Sequence, residues 1–268
     1  MTSKPKLRVV ALILLPLLVL AACATSPTGR RQIIVLPEEQ VDSMGLAAFE
    51  ELKQSTRQLR DPARVDYARC VAETILRSMD DEDLSRWEVV VFDDEQVNAF
   101  ALPGGRIGIY RGLLDTAENQ HQLATVVGHE IAHVRARHAN ERVSTGMLAE
   151  GGLQVVQVLA GDPSPRKSQL FAALGLGTQV GILLPFSRAQ ESEADALGLE
   201  FMARAGFDPR ESIPLWENMQ KGSGSKPPEF LSTHPAGDTR IRALGAQMPG
   251  ALAIYEQARR SGRRPACG

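Results

Sequence analysis

The stretch Gln120-His121-Gln122-Leu123-Ala124-Thr125-Val126-Val127-Gly128-His129-Glu130-Ile131-Ala132-His133-Val134-Arg135 decides how this chain is read. Its apolar residues Leu123, Val126, Val127, Ile131 and Val134 recur at three- and four-residue spacing, the period of an amphipathic helix, and a helix is predicted over 120–138. His129 and His133 stand four residues apart, so both imidazoles leave the same helical face and reach toward one point. Glu130 sits beside that row without belonging to it. Two imidazoles and an adjacent carboxylate in this pattern point to a bound divalent ion, with Glu130 placed to take a proton from a metal-bound water. Five histidines in 268 residues make a chance match a poor explanation.

A catalytic ion of this kind needs a third protein ligand and keeps one position open. A glycine and a further histidine do not extend the motif: Ala136 and Ala139 occupy those places, and His138 is one residue out of step. A later glutamate is the alternative. Glu191 and Asp195 lie four apart on a helix predicted over 189–205, ended by Gly206. Glu191 is the candidate ligand, and Asp195 the acid that fixes a ligand histidine's tautomer by hydrogen bonding to it. Glu193 points elsewhere on that helix.

Working outward, residues 1–22 read as an export signal. Lys4, Lys6 and Arg8 precede an apolar run too short for a comfortable membrane span of ~20 residues. Leu20-Ala21-Ala22-Cys23 resembles a lipobox, so Cys23 is expected to be acylated and to anchor the chain to a bilayer, with residues 23–36 as a lipidated tether. Helices are predicted from Pro37-Glu38-Glu39 and from Asp61-Pro62. Strand signals concentrate at 87–92, 97–102 and 106–110, with Pro103-Gly104-Gly105 as a hairpin turn. The remainder is helical, giving a single α+β domain over 37–268. The apolar, Gly-rich segment 146–186 is open to three readings: a lid, a bilayer contact or core helices.

Composition excludes more than it selects. At 43% hydrophobic and 23% charged the chain is ordinary globular protein, neither collagenous nor wholly disordered. A formal net charge of −2 gives no electrostatic case for nucleic acid. Three cysteines are too few for a disulfide-built scaffold. With Cys23 assigned to lipid, Cys70 and Cys267 are expected to pair in an oxidising compartment and to tie the C-terminal tail to the second helix.

In combination the motifs resemble the M48 metallopeptidases, the Ste24/HtpX/Oma1-like gluzincins. The matching residues are Asn98-Ala99-Phe100-Ala101-Leu102-Pro103-Gly104-Gly105, the His129–His133 helix with its trailing His138, Ser187-Arg188 ahead of Glu191-x-Glu-Ala-Asp195, and Thr233-His234-Pro235 with Arg240. Gly29-Arg30-Arg31-Gln32 looks like the lipoprotein members. The resemblance implies a mainly helical zincin-type domain with a small, mostly antiparallel sheet. It implies one Zn2+ per chain held by His129, His133 and Glu191, with Glu130 as general base. It places His234 near the ion, either donating a hydrogen bond to an oxyanion or binding as a fourth ligand that closes the site. Arg240 either stabilises the oxyanion or pairs with an acid. The strand Asn98–Leu102, through Asn98, Ala99, Phe100 and Ala101, is the first candidate edge for an extended peptide, with 106–110 second. The expected activity is endopeptidase action on envelope proteins in quality control, from the outer membrane facing the periplasm and alongside outer-membrane assembly machinery. The alternative is an assembly factor or chaperone with a latent zinc site.

Overall fold

The computed structural model describes residues 23–79, 84–149, 186–221, 229–234 and 238–268. The chain begins with an antiparallel hairpin of β1 (Cys23–Thr25) and β2 (Arg31–Ile33). Helices α1 (Glu38–Ser55) and α2 (Pro62–Arg77) lead to strands β3 (Glu88–Phe92), β4 (Ala99–Leu102) and β5 (Arg106–Tyr110). Helices α3 (Arg111–Thr116), α4 (Gln120–Arg135), α5 (His138–Ala149), α6 (Arg188–Ala205), α7 (Ser212–Lys221), α8 (Glu229–Thr233) and α9 (Asp238–Arg260) follow. The expected α+β, mainly helical class is observed. Local chemistry sets the ends: the Asp61 carboxylate accepts from the amides of Ala63 and Arg64, and Pro62 fills the first turn of α2, where no donor is lost.

The second sheet has the order β3-β5-β4. β4 and β5 form the expected hairpin, its turn made by Gly104 and Gly105 at φ 78° and 79°, a conformation that side chains disfavour. β5 then returns in the direction of β3 and slots beside it, so the β3–β5 pair is parallel and the sheet is mixed. This corrects one expectation. Strand 106–110 is central, hydrogen-bonded on both sides, and has no edge to offer; β4 is the free edge, and it begins at Ala99, one residue after Asn98.

Strand alternation divides the core. Val91, Ala99, Ala101, Ile107 and Ile109 share one cluster with α2, α4 and α6. Val90, Phe92, Phe100, Leu102 and Tyr110 share the other with α1. The sheet is therefore a middle layer, with the motif helix α4 against one face.

Two further features bear on the site. The helix predicted to run unbroken to His138 stops at Arg135; Arg137 takes φ 53° and α5 starts afresh at His138. The segment 23–36 is folded down on that break, not hanging free. The Gln32 amide donates to the Ala136 carbonyl at 2.6 Å, the Val35 amide to Ser144 Oγ at 3.0 Å, and the Asn140 side chain to the Leu36 carbonyl at 3.1 Å. The expected disulfide joins Cys70 on α2 to Cys267, with Cα atoms 5.6 Å apart. The expected signal 1–22, the Cys23 side chain and most of 146–186 lie outside the described residues. Among those described, no helix is long and apolar enough to cross a membrane.

Candidate metal centre

Asn119 starts α4 by accepting the amides of His121 and Gln122 at 2.9 and 3.0 Å. Ser187 and Gln190 start α6 with a reciprocal capping box, which sets Glu191 in its first turn. The two helices then cross at the distance only glycine allows. A Cβ on Gly198 would lie 2.8 Å from the His129 amide nitrogen, and one on Gly128 would lie 2.9 Å from the Gly198 carbonyl oxygen. That approach brings the ligand residues of both helices to one point.

His129, His133, Glu191 and His234 each offer an atom within 4.8 Å of all the others, and all four residues are buried. His129 Nε2 is 3.0 Å from His133 Nε2 and 3.2 Å from His234 Nδ1. Glu191 Oε1 is 2.9 Å from His234 Nδ1 and 3.4 Å from His133 Nε2, and Oε2 is 3.6 Å from His129 Nε2. A tetrahedral zinc with bonds near 2.0–2.1 Å has ligand-to-ligand edges of about 3.3 Å, so this set fits such an ion. Glu130 Oε1 is buried without a hydrogen bond, as a group facing an ion's water would be, while Glu191 Oε2 is buried against the Arg240 guanidinium at 3.2 Å. Burial pushes the His129 imidazole down to about 4 and His133 well below its usual range, which keeps both in the neutral form a metal requires. Burial also opposes ionisation of Glu191, but the surrounding histidines outweigh it and hold its carboxyl well down.

Glu130 lies beside this group, between it and β4. One oxygen accepts the Ala101 amide at 3.2 Å, so the outward N–H of edge strand β4 meets it directly, and the other is 3.5 Å from His234 Nε2. Burial is the main reason its carboxyl is pushed up to about 7. Asp195 holds His129 from behind, Oδ1 to Nδ1 at 3.0 Å, which leaves Nε2 facing the centre. Arg240 pairs with two acids. Its guanidinium is 2.5 Å from Asp195 and 3.2 Å from Glu191, donates to the His234 carbonyl, and lies 3.7 Å over the Trp216 ring. His234 is the fourth member of this group, stacked between Phe230 and Phe186 at 4.5 and 5.2 Å. The cleft reaching the centre from β4 and α5 leaves about 30 Å³ beside His133, room for a water or two.

The sequence reading missed a second layer. Glu193, read only as pointing elsewhere on its helix, is buried and 3.2 Å from His138, whose other nitrogen is 2.8 Å from His133 Nδ1. The helix break explains the miss. In a continuous helix, residues five apart point about 140° away from each other. Arg30, in the Gly29–Gln32 stretch that resembled lipoprotein members, was the available signal. His121 serves elsewhere, accepting the Asp208 amide at 3.1 Å.

Residues 62–248 match the model of peptidase family M48. The chain belongs to that family. M48 metallopeptidases use zinc, in agreement with the ligand set. Similar proteins include the mitochondrial metalloendopeptidase OMA1 of Arabidopsis thaliana, 39% identical over 174 residues, covering 64% of this chain and 34% of the relative. The mitochondrial metalloendopeptidase OMA1 of Danio rerio is 34% identical over 242 residues, covering 85% and 50%. The beta-barrel assembly-enhancing protease of Escherichia coli K12 is 28% identical over 205 residues, covering 74% and 42%. This M48 chain thus spans a third to a half of the length of these relatives.

Proposed function

We propose that this chain is a zinc-dependent endopeptidase of the bacterial cell envelope, and that His234 holds it latent in the conformation described. The observation that carries the reading is the convergence of His129, His133 and Glu191 on one point, with Glu130 between that point and the free edge of β4. When bound, zinc supplies a Lewis acid that polarises a scissile carbonyl and acidifies water. The residues do the rest. Edge strand β4 pairs with an extended peptide and presents its carbonyl to the centre. Glu130, close to neutral in its affinity for a proton, takes one from the attacking water and passes it to the leaving amine. Asp195 keeps His129 in one tautomer, and Arg240 braces Asp195. His234 must leave the ligand set before a peptide carbonyl can enter; once swung out, it is placed to donate to the oxyanion.

The lipobox-like Cys23 supports a lipid anchor, and the Cys70–Cys267 bridge supports an oxidising compartment such as the periplasm. Misassembled outer-membrane or periplasmic proteins are the substrates this placement favours, as the name of the Escherichia coli relative also suggests. The closed, four-ligand arrangement favours one rival: an assembly factor whose zinc site stays shut. Purified full chain, incubated with an unfolded protein such as reduced casein, distinguishes them. Cleavage is expected with zinc and is expected to stop with chelator. In Glu130→Gln it should fall by at least about 100-fold while zinc stays bound. A Glu130→Gln chain that complements a deletion strain as well as the wild type does would favour the assembly role.

A further inference from the structure

We propose that Arg30, in the N-terminal hairpin, is a positioning residue for the metal centre and acts through Glu193 and His138 on His133. The proposal rests on the zinc-site reading above but not on peptidase activity.

The argument follows the hydrogen bonds outward. For His133 to present Nε2 to an ion, its proton must sit on Nδ1. That nitrogen is 2.8 Å from His138 Nδ1, in a site where both rings are buried. His138 Nδ1 must therefore accept, which puts the His138 proton on Nε2. Nε2 in turn is 3.2 Å from Glu193 Oε2, a carboxylate oxygen that only accepts. The relay has one consistent direction, His133 to His138 to Glu193, and it ends on a buried negative charge.

A buried carboxylate needs compensation, and here the compensation comes from the hairpin. Arg30 Nε donates to Glu193 Oε2 at 2.7 Å and Thr28 Oγ1 donates to Oε1 at 2.5 Å. The other two guanidinium nitrogens of Arg30 clamp both oxygens of Glu141 on α5, each at 2.7 Å. Gln190, next to ligand Glu191, donates to that same Glu141 at 2.8 Å. One planar fork thereby ties α5 to α6, a geometry that lysine's single ammonium does not reproduce. Gln32 donates to the Ala136 carbonyl at the helix break, where Arg137 takes its positive φ, and the break is what swings His138 against His133. The hairpin thus holds both the bend and the end of the relay.

Zinc affinity of the full chain, read by competition with a chromogenic chelator alongside the thermal midpoint of the apo protein, tests this. Arg30→Met, Glu193→Gln and His138→Leu are each expected to weaken zinc binding by about 10- to 100-fold, the usual effect of losing a partner behind a ligand histidine. His138→Gln, which can still accept from His133 and donate to Glu193, is expected to recover most of the loss. Ring-nitrogen NMR of the wild-type zinc form is expected to show His133 protonated on Nδ1 and His138 on Nε2, and needs no variant to fold. Wild-type zinc affinity in Arg30→Met and Glu193→Gln, whatever their stability, overturns the proposal, as does a His138 proton on Nδ1. A chain with the expected zinc signature but no cleavage of casein would refute the peptidase reading and leave the positioning role standing.

Discussion

Replacing Gly198 with alanine tests whether the α4–α6 crossing sets the metal geometry. The new Cβ would meet the His129 amide nitrogen at 2.8 Å, its Cα at 2.9 Å and the Gly128 carbonyl carbon at 3.0 Å. Ordinary contacts of this kind lie at 3.5–4.0 Å, and all three atoms are backbone, so the helices must part by roughly 0.7 Å. Overpacking of this sort costs about 1–3 kcal/mol, against a gain of about 1 kcal/mol from alanine's better helix propensity. The metal is less forgiving than the fold, since zinc tolerates errors of about 0.2 Å in its bonds. The expected outcome is zinc affinity lowered at least about tenfold, with apo stability unchanged or lower by up to about 2 kcal/mol. Gly245→Ala in α9 is the matched control. Its Cβ meets nothing within 4 Å, so propensity alone should raise stability by about 0.5–1 kcal/mol with zinc binding untouched. Competition titration and denaturant unfolding read both quantities. If Gly198→Ala behaves like Gly245→Ala, the close crossing does not set the ligand geometry.

Two further outcomes follow from the site and the staple. His234→Ala is expected to raise casein cleavage at constant zinc content, because it removes the fourth ligand; a fall of about 10²- to 10³-fold would instead assign His234 chiefly to the oxyanion. Replacing both Cys70 and Cys267 with alanine opens a loop with a sequence separation of 197 residues. Chain entropy sets an upper bound of about 5 kcal/mol on the loss, and a denaturation midpoint unchanged from the oxidised wild type would show that the tail docks without the bridge.

What the sequence made legible was whatever depends on spacing along one element. His129 and His133 share a helix face with Glu130 beside it, Glu191 and Asp195 share a face of another helix, and the five side chains meet in one buried cluster. The β4–β5 hairpin was legible because Pro103-Gly104-Gly105 can hardly do anything else. Pairing across the chain was harder. The parallel β3–β5 pair depends on which strand slots between which, and no local residue encodes that. The break at Arg137 was invisible because neither glycine nor proline marks it; Gln32, about a hundred residues earlier in the chain, supports it from outside. The role of Glu193 was out of reach on the same grounds, since its partners Arg30, Thr28 and His138 all come from elsewhere.

The staple between Cys70 and Cys267 also imposes a timetable. Synthesis runs from the N-terminus, and Cys267 comes after every helix described, so the thiol of Cys70 must wait until the whole metal centre has been made. Closing the bridge is therefore a late event, and it certifies that everything between the two cysteines has arrived. A chain cut short anywhere before Cys267 would carry an unpaired thiol on α2, a chemical mark by which incomplete molecules can be counted with a thiol-reactive label.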